Sequence, residues 1–237
     1  MKLDILAALN AERAARRAAI VVTYVESGQQ RLVKSAEIAK DPLRQLLAER
    51  LRTSKSGMEE TAEGRVFLTV YVPSPQLVIT GAVHISQALA PIGKILGYDV
   101  TIVDPRTAFA SPERFPDVKV IAEWPDTALP PLNVDRYTAF VALTHDPKID
   151  DPALLYVLAR DCFYVGALGS RKTHARRVER LRAAGVSDAN IVRIHAPIGL
   201  DIGAISPAEI AVSIMGQITE RLREEVEAVP APVKAAS

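Results

Sequence analysis

One cysteine, Cys162, stands in a chain of 237 residues. A single thiol excludes an internal disulfide and any metal site built from several cysteines. Aromatic residues make up 5% of the chain, too few for the stacking platforms that bind single-stranded nucleic acid. Charge of one sign is also missing. Against 28 acidic residues stand 29 basic ones, and a net charge of +1 offers no field for a nucleic-acid backbone or an anionic membrane. No apolar run approaches the ~20 residues of a membrane span. The opening residues, MKLDILAALNAERAARR, carry charges throughout and lack a signal peptide's apolar core, so a cytoplasmic location is expected. There is no G-x-S-x-G elbow for a hydrolytic triad. His84, His145, His174 and His195 are scattered, with no pair at i, i+4, so no metal site is expected.

Hydrophobic residues make up 49%, enough for a proper core in one large domain or two unequal ones. Residues 1–73 read as a small N-terminal α/β domain. A helix is expected over 3–18, with Leu3, Leu6, Ala7 and Leu9 on one face. Short strands follow at 19–25 and 31–34 around a Ser27-Gly28 turn. Asp41 and Pro42 open a helix to about Leu51, and the run RVFLTVYV over 65–72 is a strong strand. No chemical motif stands out here. Pro73-Ser74-Pro75 then reads as a linker.

Residues 74–228 read as a Rossmann-like parallel-sheet domain. Leu77-Val78-Ile79-Thr80 is an apolar, partly β-branched run suited to a buried strand. Gly81 breaks it, Ser86 is placed to cap a helix, and Ala88, Leu89, Ile92, Ile95 and Leu96 recur at helical spacing. Gly97 stops that helix, and a second strand over 98–103 ends at Asp104. The order strand, turn, helix, strand, acid is the opening unit of a dinucleotide-binding fold. Asp104 lies 23 residues beyond Gly81, near the ~20 at which such an acid meets a ribose hydroxyl. The turn departs from G-x-G-x-x-G, because Val83 replaces the glycine that lets backbone approach a pyrophosphate. Standard nicotinamide binding through this turn is therefore not expected.

Further strands are expected at 118–122, 138–143 and 163–168, a loop at 125–131, and a helix opened by Asp151-Pro152. Ligands of such sheets sit outside the carboxyl ends of the strands, where the strand order reverses. The turns holding His84, His145 and Ser170 are thus expected to line one crevice, with Thr144 and Asp146 beside His145. Gly169-Ser170-Arg171-Lys172 places a cap and two cations at a helix start, which suits a phosphate. The later Arg176, Arg177, Arg180 and Arg182 read as a solvated face. His195, Gly199 and Asp201 lie on a loop after a short strand at 191–194. Ser206-Pro207-Ala208-Glu209 is a capping box, and Ile210, Ile214, Ile218 and Leu222 form the apolar stripe of the last helix. Cys162, at a strand start, reads as an inert, half-buried thiol. Residues 229–237 are expected to be disordered.

The segments GAVHISQALAPIGKILGYDVTIVDPR, ERFP, the TH-D of Thr144 to Asp146, YVGALGSRKTHARRVERL and HAPIGLDIGAISPAEIAVSI together resemble the xanthine dehydrogenase accessory protein family. The resemblance runs from Leu77 to about Ile218. It implies a chaperone that binds the molybdenum cofactor, as molybdopterin or its cytosine dinucleotide, guards it during sulfuration and inserts it into a molybdenum hydroxylase. The partners so implied are the apo hydroxylase and a cysteine desulfurase, while homodimerisation stays open. Gly81 and His84 match the family's usual glycine-x-glycine-histidine turn and Val83 does not. The family's N-terminal signature survives only as Ser27-Gly28 and Arg31, which marks a short or split member. The cofactor-binding set is Gly81, His84, Asp104, Arg106, Thr144, His145, Asp146, Gly169, Ser170, Arg171, Lys172, His195, Gly199 and Asp201. No catalytic residue is assigned. Two alternatives stay open: an oxidoreductase using NAD(P) or FAD, favoured by Asp104 and Arg106, and a non-catalytic partner of another enzyme.

Overall fold

The computed structural model describes residues 1–227; the expectation for 229–237 lies outside them. The chain divides into two compact units, built on Met1–Pro73 and Ser74–Glu224.

In the first unit, α1 (Leu3–Ala14) is followed by β1 (Ala19–Tyr24), β2 (Gln30–Lys34) and α2 (Arg44–Thr53). The strands β3 (Gly57–Thr61) and β4 (Gly64–Tyr71) complete it. The strands form an antiparallel sheet in the order β2-β1-β4-β3. Side chains alternate across a strand, so a sheet covered on both faces needs apolar residues at every position of its central strand. β1 meets that need from Ala19 to Val22, before the polar Thr23: Ile20 and Val22 pack with Leu47 of α2, while Ala19 and Val21 pack with Ile5 and Leu9 of α1.

The second unit runs β5 (Gln76–Thr80), α3 (His84–Ile95), β6 (Asp99–Val103), β7 (Lys119–Ile121), α4 (Pro125–Ala128) and β8 (Thr138–Ala142). It continues through α5 (Pro147–Leu158), β9 (Tyr164–Ala167), α6 (Arg171–Ala183), α7 (Asp188–Ile191), β10 (Ile194–His195) and α8 (Pro207–Glu227). Its six strands are parallel, in the order β10-β9-β8-β5-β6-β7. This is a Rossmann-type sheet in an α/β fold. Leu77 and Ile79 face a core shared with Leu89 and Ala90 of α3 and Ile214 and Ile218 of α8. Val78 points the other way, into a core closed by Leu154, Val157 and Leu158 of α5 and Leu181 of α6. Burial on both faces explains the continuous apolar runs.

Several local expectations are corrected. α1 ends at Ala14, and its inward face is Ile5, Leu9 and Glu12. Leu3 is 84% exposed. Ile95 and Leu96 are likewise exposed, because Gly93, pressed against Leu77 and Val100, takes the inward position late in α3. α5 begins five residues before Pro152, at Pro147, with the Asp146 carboxylate accepting the Lys148 amide at 2.9 Å. Asp-Pro occurs at both places, and the first pair wins the start. Residues 125–131, read as loop, hold α4 and a 3-10 turn over Pro130–Leu132. Residues 191–194 are mostly the end of α7 and a turn, and the polar edge strand β3 gave no apolar signal. Cys162 is buried more deeply than half, and burial pushes its thiol up to about 12.

Candidate functional site

The strand order reverses between β5 and β8, and the turns after them meet there. Gly81 has φ +107°, in the region that only glycine adopts easily. A Cβ on it would lie 2.8 Å from Thr144 Cγ2 and 3.2 Å from the Thr144 amide nitrogen. Backbone contact here is close: the Gly81 amide donates to the Val103 carbonyl at 2.9 Å and the Leu143 amide to the Thr80 carbonyl at 2.8 Å. The first glycine thus brings Gly81 and Thr144, two predicted site residues, into contact.

Asp104 follows β6 and is fully buried. Its carboxylate accepts the Ala82 amide at 2.8 Å, the Arg106 amide at 2.9 Å, Arg106 Nε at 2.9 Å and Arg106 Nη2 at 2.7 Å. Those donors fill the ~4 lone-pair directions of a carboxylate. Burial raises its pKa, yet the hydrogen bonds from Arg106 and the two amides outweigh that and hold the carboxyl below its ordinary value. Asp104 therefore ties the β5–α3 turn to Arg106 with no direction left over for a ribose hydroxyl. Arg106 is partly exposed and packs over the Phe109 ring at 4.6 Å. Arg114 closes the same corner by donating to the Ala82 carbonyl at 2.9 Å and the Phe109 carbonyl at 2.8 Å.

Helix starts follow β5, β8 and β9, and they differ in capping. At α6, Ser170 is the cap, its Oγ accepting the Thr173 amide at 3.2 Å, as the sequence predicts. At α5, Asp146 is the cap. At α3 the N-cap is Val83, which supplies no side-chain hydrogen bond. Ser86 does not cap this helix: it lies within the first turn and donates its hydroxyl to the Gly81 carbonyl. The first-turn amides of α3 are thus free of any cap from Val83, and exposed His84 is the first residue of the helix. Val83 is itself partly buried against the core.

His145 is exposed and held at φ +62°, uncommon for a residue with a side chain. What holds it there is Asp150, which sequence reasoning missed. Asp150 Oδ1 accepts the Thr144 hydroxyl at 2.6 Å, and Oδ2 accepts the His145 amide at 3.1 Å. Thr144 Oγ1 in turn accepts the Asp146 amide at 3.1 Å. Asp150 is 1% exposed, and burial raises its pKa. Arg177 also departs from expectation. It is 2% exposed rather than solvated, and burial lowers its pKa. Its Nη2 donates to the Leu168 carbonyl at 2.8 Å and lies 4.0 Å from Asp150 Oδ2. Helical spacing carried both signals: Asp150 shares a face with Leu154 and Val157, and Arg177 with Leu181. Arg180 and Arg182 do read as surface residues, paired with Asp151 and Asp188.

Gly169 has φ +137° and sits beside Thr173, while Ser170, Arg171 and Lys172 are exposed. His195 ends β10 and stacks on Tyr164, with ring centroids 4.9 Å apart and planes 8° from parallel. The Tyr164 hydroxyl donates to Gln217 Oε1 at 2.6 Å, and the Gly199 amide donates to the same oxygen at 2.9 Å. Gly199 is packed against α8, where a Cβ would collide with Ser213 Oγ. Asp201 is exposed on the loop that follows. Among the described residues, no group of three or more His, Cys, Asp or Glu side chains could hold a metal ion, and no helix is long and apolar enough to cross a membrane.

Fold and crevice define a Rossmann-type domain whose nucleotide turn is altered at its second glycine. The chain belongs to the family described as the XdhC Rossmann domain, which it matches over residues 77–218. It is 33% identical over 157 residues to the uncharacterized protein YqeB of Escherichia coli, covering 65% of this chain and 29% of that one. It is 29% identical over 156 residues to a probable xanthine dehydrogenase subunit of Bacillus subtilis, covering 65% of this chain and 45% of the relative. It is also 29% identical over 161 residues to the molybdenum cofactor insertion chaperone PaoD of Escherichia coli, covering 68% and 44%. The chain therefore spans less than half the length of each of these relatives. A crystal structure of a xanthine dehydrogenase from Bacillus halodurans shares the fold with a TM-score of 0.67, at 21% identity over 95% of this chain and 66% of that one.

Proposed function

We propose that this protein is a maturation chaperone that binds the molybdenum cofactor, assists its sulfuration and hands it to an apo molybdenum hydroxylase. The observation that carries the reading is the start of α3: helix amides without a side-chain cap, beside Gly81 and exposed His84, at the switch point of the sheet. Such amides suit an anionic phosphate or pyrophosphate, and molybdopterin and its cytosine dinucleotide both carry one. The cofactor is cargo here, and its molybdenum is destined for the hydroxylase. His145 and Arg106 flank the crevice as hydrogen-bond donors, and Ser170, Arg171 and Lys172 offer cations at the start of α6. Asp104 contributes through Arg106 rather than by direct contact. A relative named as a molybdenum cofactor insertion chaperone supports the same reading. A cysteine desulfurase would supply the sulfur, and no turnover by this chain is required.

The nicotinamide alternative is disfavoured by Asp104, whose carboxylate is fully hydrogen-bonded within the chain. His145→Ala is expected to lower both the molybdenum cofactor bound by the purified protein and the activation of the apo hydroxylase. The wild type alone is expected to oxidise no NAD(P)H. Steady NAD(P)H oxidation that His145→Ala abolishes would replace this reading with the oxidoreductase.

A further inference from the structure

Two oppositely charged residues lie beneath the crevice, and both are almost fully buried. Asp150, on α5, takes the hydroxyl of Thr144 and the amide of His145. Arg177, on α6, takes the carbonyl of Leu168, which opens the Gly169–Ser170 turn. The two charges stand 4.0 Å apart, and Arg177 Nε and Nη1 are buried without a hydrogen-bond partner. Burying such charges is expensive, and a well-packed apolar pair of similar volume commonly holds a fold as well or better. Strands β8 and β9 already pair along their length, so the sheet needs no ionic link to hold them side by side. What the pair adds is a connection between the two turns beyond the strand ends.

We propose that Asp150 and Arg177 are positioning residues that lock the turn at 144–146 to the turn at 168–170, so that a ligand meets them as one preformed wall. The tie itself is independent of the ligand's identity; its consequence for the molybdenum cofactor rests on the function proposed above. His145 is the part that most needs it. A histidine leaves the left-handed region unless its surroundings hold it there, and Asp150 is the group that holds its amide. The lock also explains why Thr144 takes part: its hydroxyl donates a hydrogen bond to Asp150 and accepts one from the Asp146 amide, so a single carboxylate sets three consecutive residues.

Amide hydrogen exchange on the full chain tests the tie without any ligand. Asp150→Asn is expected to speed exchange at His145 and also at Leu168 and Thr173, whose amides are hydrogen-bonded to the Ala142 carbonyl and the Ser170 hydroxyl, and Arg177→Met is expected to do the same at both turns. Because either single change strands a buried charge, the double variant Asp150→Asn/Arg177→Met, which removes both, is expected to fold. Its exchange at both turns should rise while the strands keep their protection. Arg177→Lys, which keeps the charge, should restore part of the protection lost in Arg177→Met. The same variants should retain roughly tenfold less molybdenum cofactor, the size seen when a group supporting a binding residue is removed. If each variant disturbs only its own turn, or if the double variant protects both turns like the wild type, the tie is refuted. If exchange behaves as expected but the wild type retains no cofactor, the tie stands and the chaperone reading fails.

Discussion

At the scale of single residues, Gly81 and Val83 set the character of the site in opposite ways. Gly81 is required by geometry: φ +107° and a Cβ position 2.8 Å from Thr144 Cγ2 leave no room for a side chain. Gly81→Ala is expected to destabilise the fold by about 1–3 kcal/mol from backbone strain alone, with the Thr144 collision adding to it. Urea unfolding measures this, and a loss under about 0.5 kcal/mol, the size of an ordinary surface change, would show that the turn relaxes freely. Val83 occupies the position where a nucleotide-binding turn carries its second glycine, and its side chain packs partly into the core. The turn that results keeps the helix-start amides of a dinucleotide fold but not its close backbone approach.

At the scale of elements, the sequence places two caps correctly, Ser170 and the Ser206–Glu209 box, and misplaces those of α3 and α5. Ser206 accepts the Glu209 amide at 3.2 Å, while Glu209 accepts the Ser206 and Ile205 amides, each at 2.8 Å. Removing the hydroxyl with Ser206→Ala should cost about 1 kcal/mol of stability in thermal unfolding. A variant as stable as the wild type would mean the Glu209 half of the box suffices. The parallel strands, the Ser170 cap and the apolar stripe of α8 were all legible, because period and cap chemistry are local properties. What escaped was set by tertiary contact. Asp150 and Arg177 are charged residues on buried helix faces, and their role depends on turns that are distant in sequence or belong to another element. Asp104 was found by its spacing, but its engagement by Arg106 was not, since spacing does not show which donor reaches a carboxylate first. The start of α5 was misplaced because Asp-Pro occurs twice within seven residues.

At the scale of the whole molecule, buried carboxylates govern the response to acid. Hydrogen bonds from Arg17 depress Glu12, and those from Arg31 depress Asp41. In Asp104 the hydrogen bonds overcome an opposing effect of burial. A carboxyl whose folded pKa is depressed stabilises the fold above its unfolded value, near ~4, and loses that contribution as pH falls through the folded value. Asp150, raised by burial, acts in the opposite sense and favours folding as it gains a proton. With depressed groups in both units, the melting temperature should fall as pH drops from about 5 toward 2. A melting temperature that rises over that window would show that Asp150 dominates. We propose residues 1–73 and 74–228 as separate domains, the first structural and the second the cofactor binder. The measurement that tests the central claim most directly is mass spectrometry of the small molecule released on denaturing the purified protein, with molybdenum determined in the same sample. A pterin bearing phosphate or a cytosine dinucleotide, accompanied by molybdenum, is the predicted result; a nicotinamide or flavin dinucleotide with no molybdenum would contradict it.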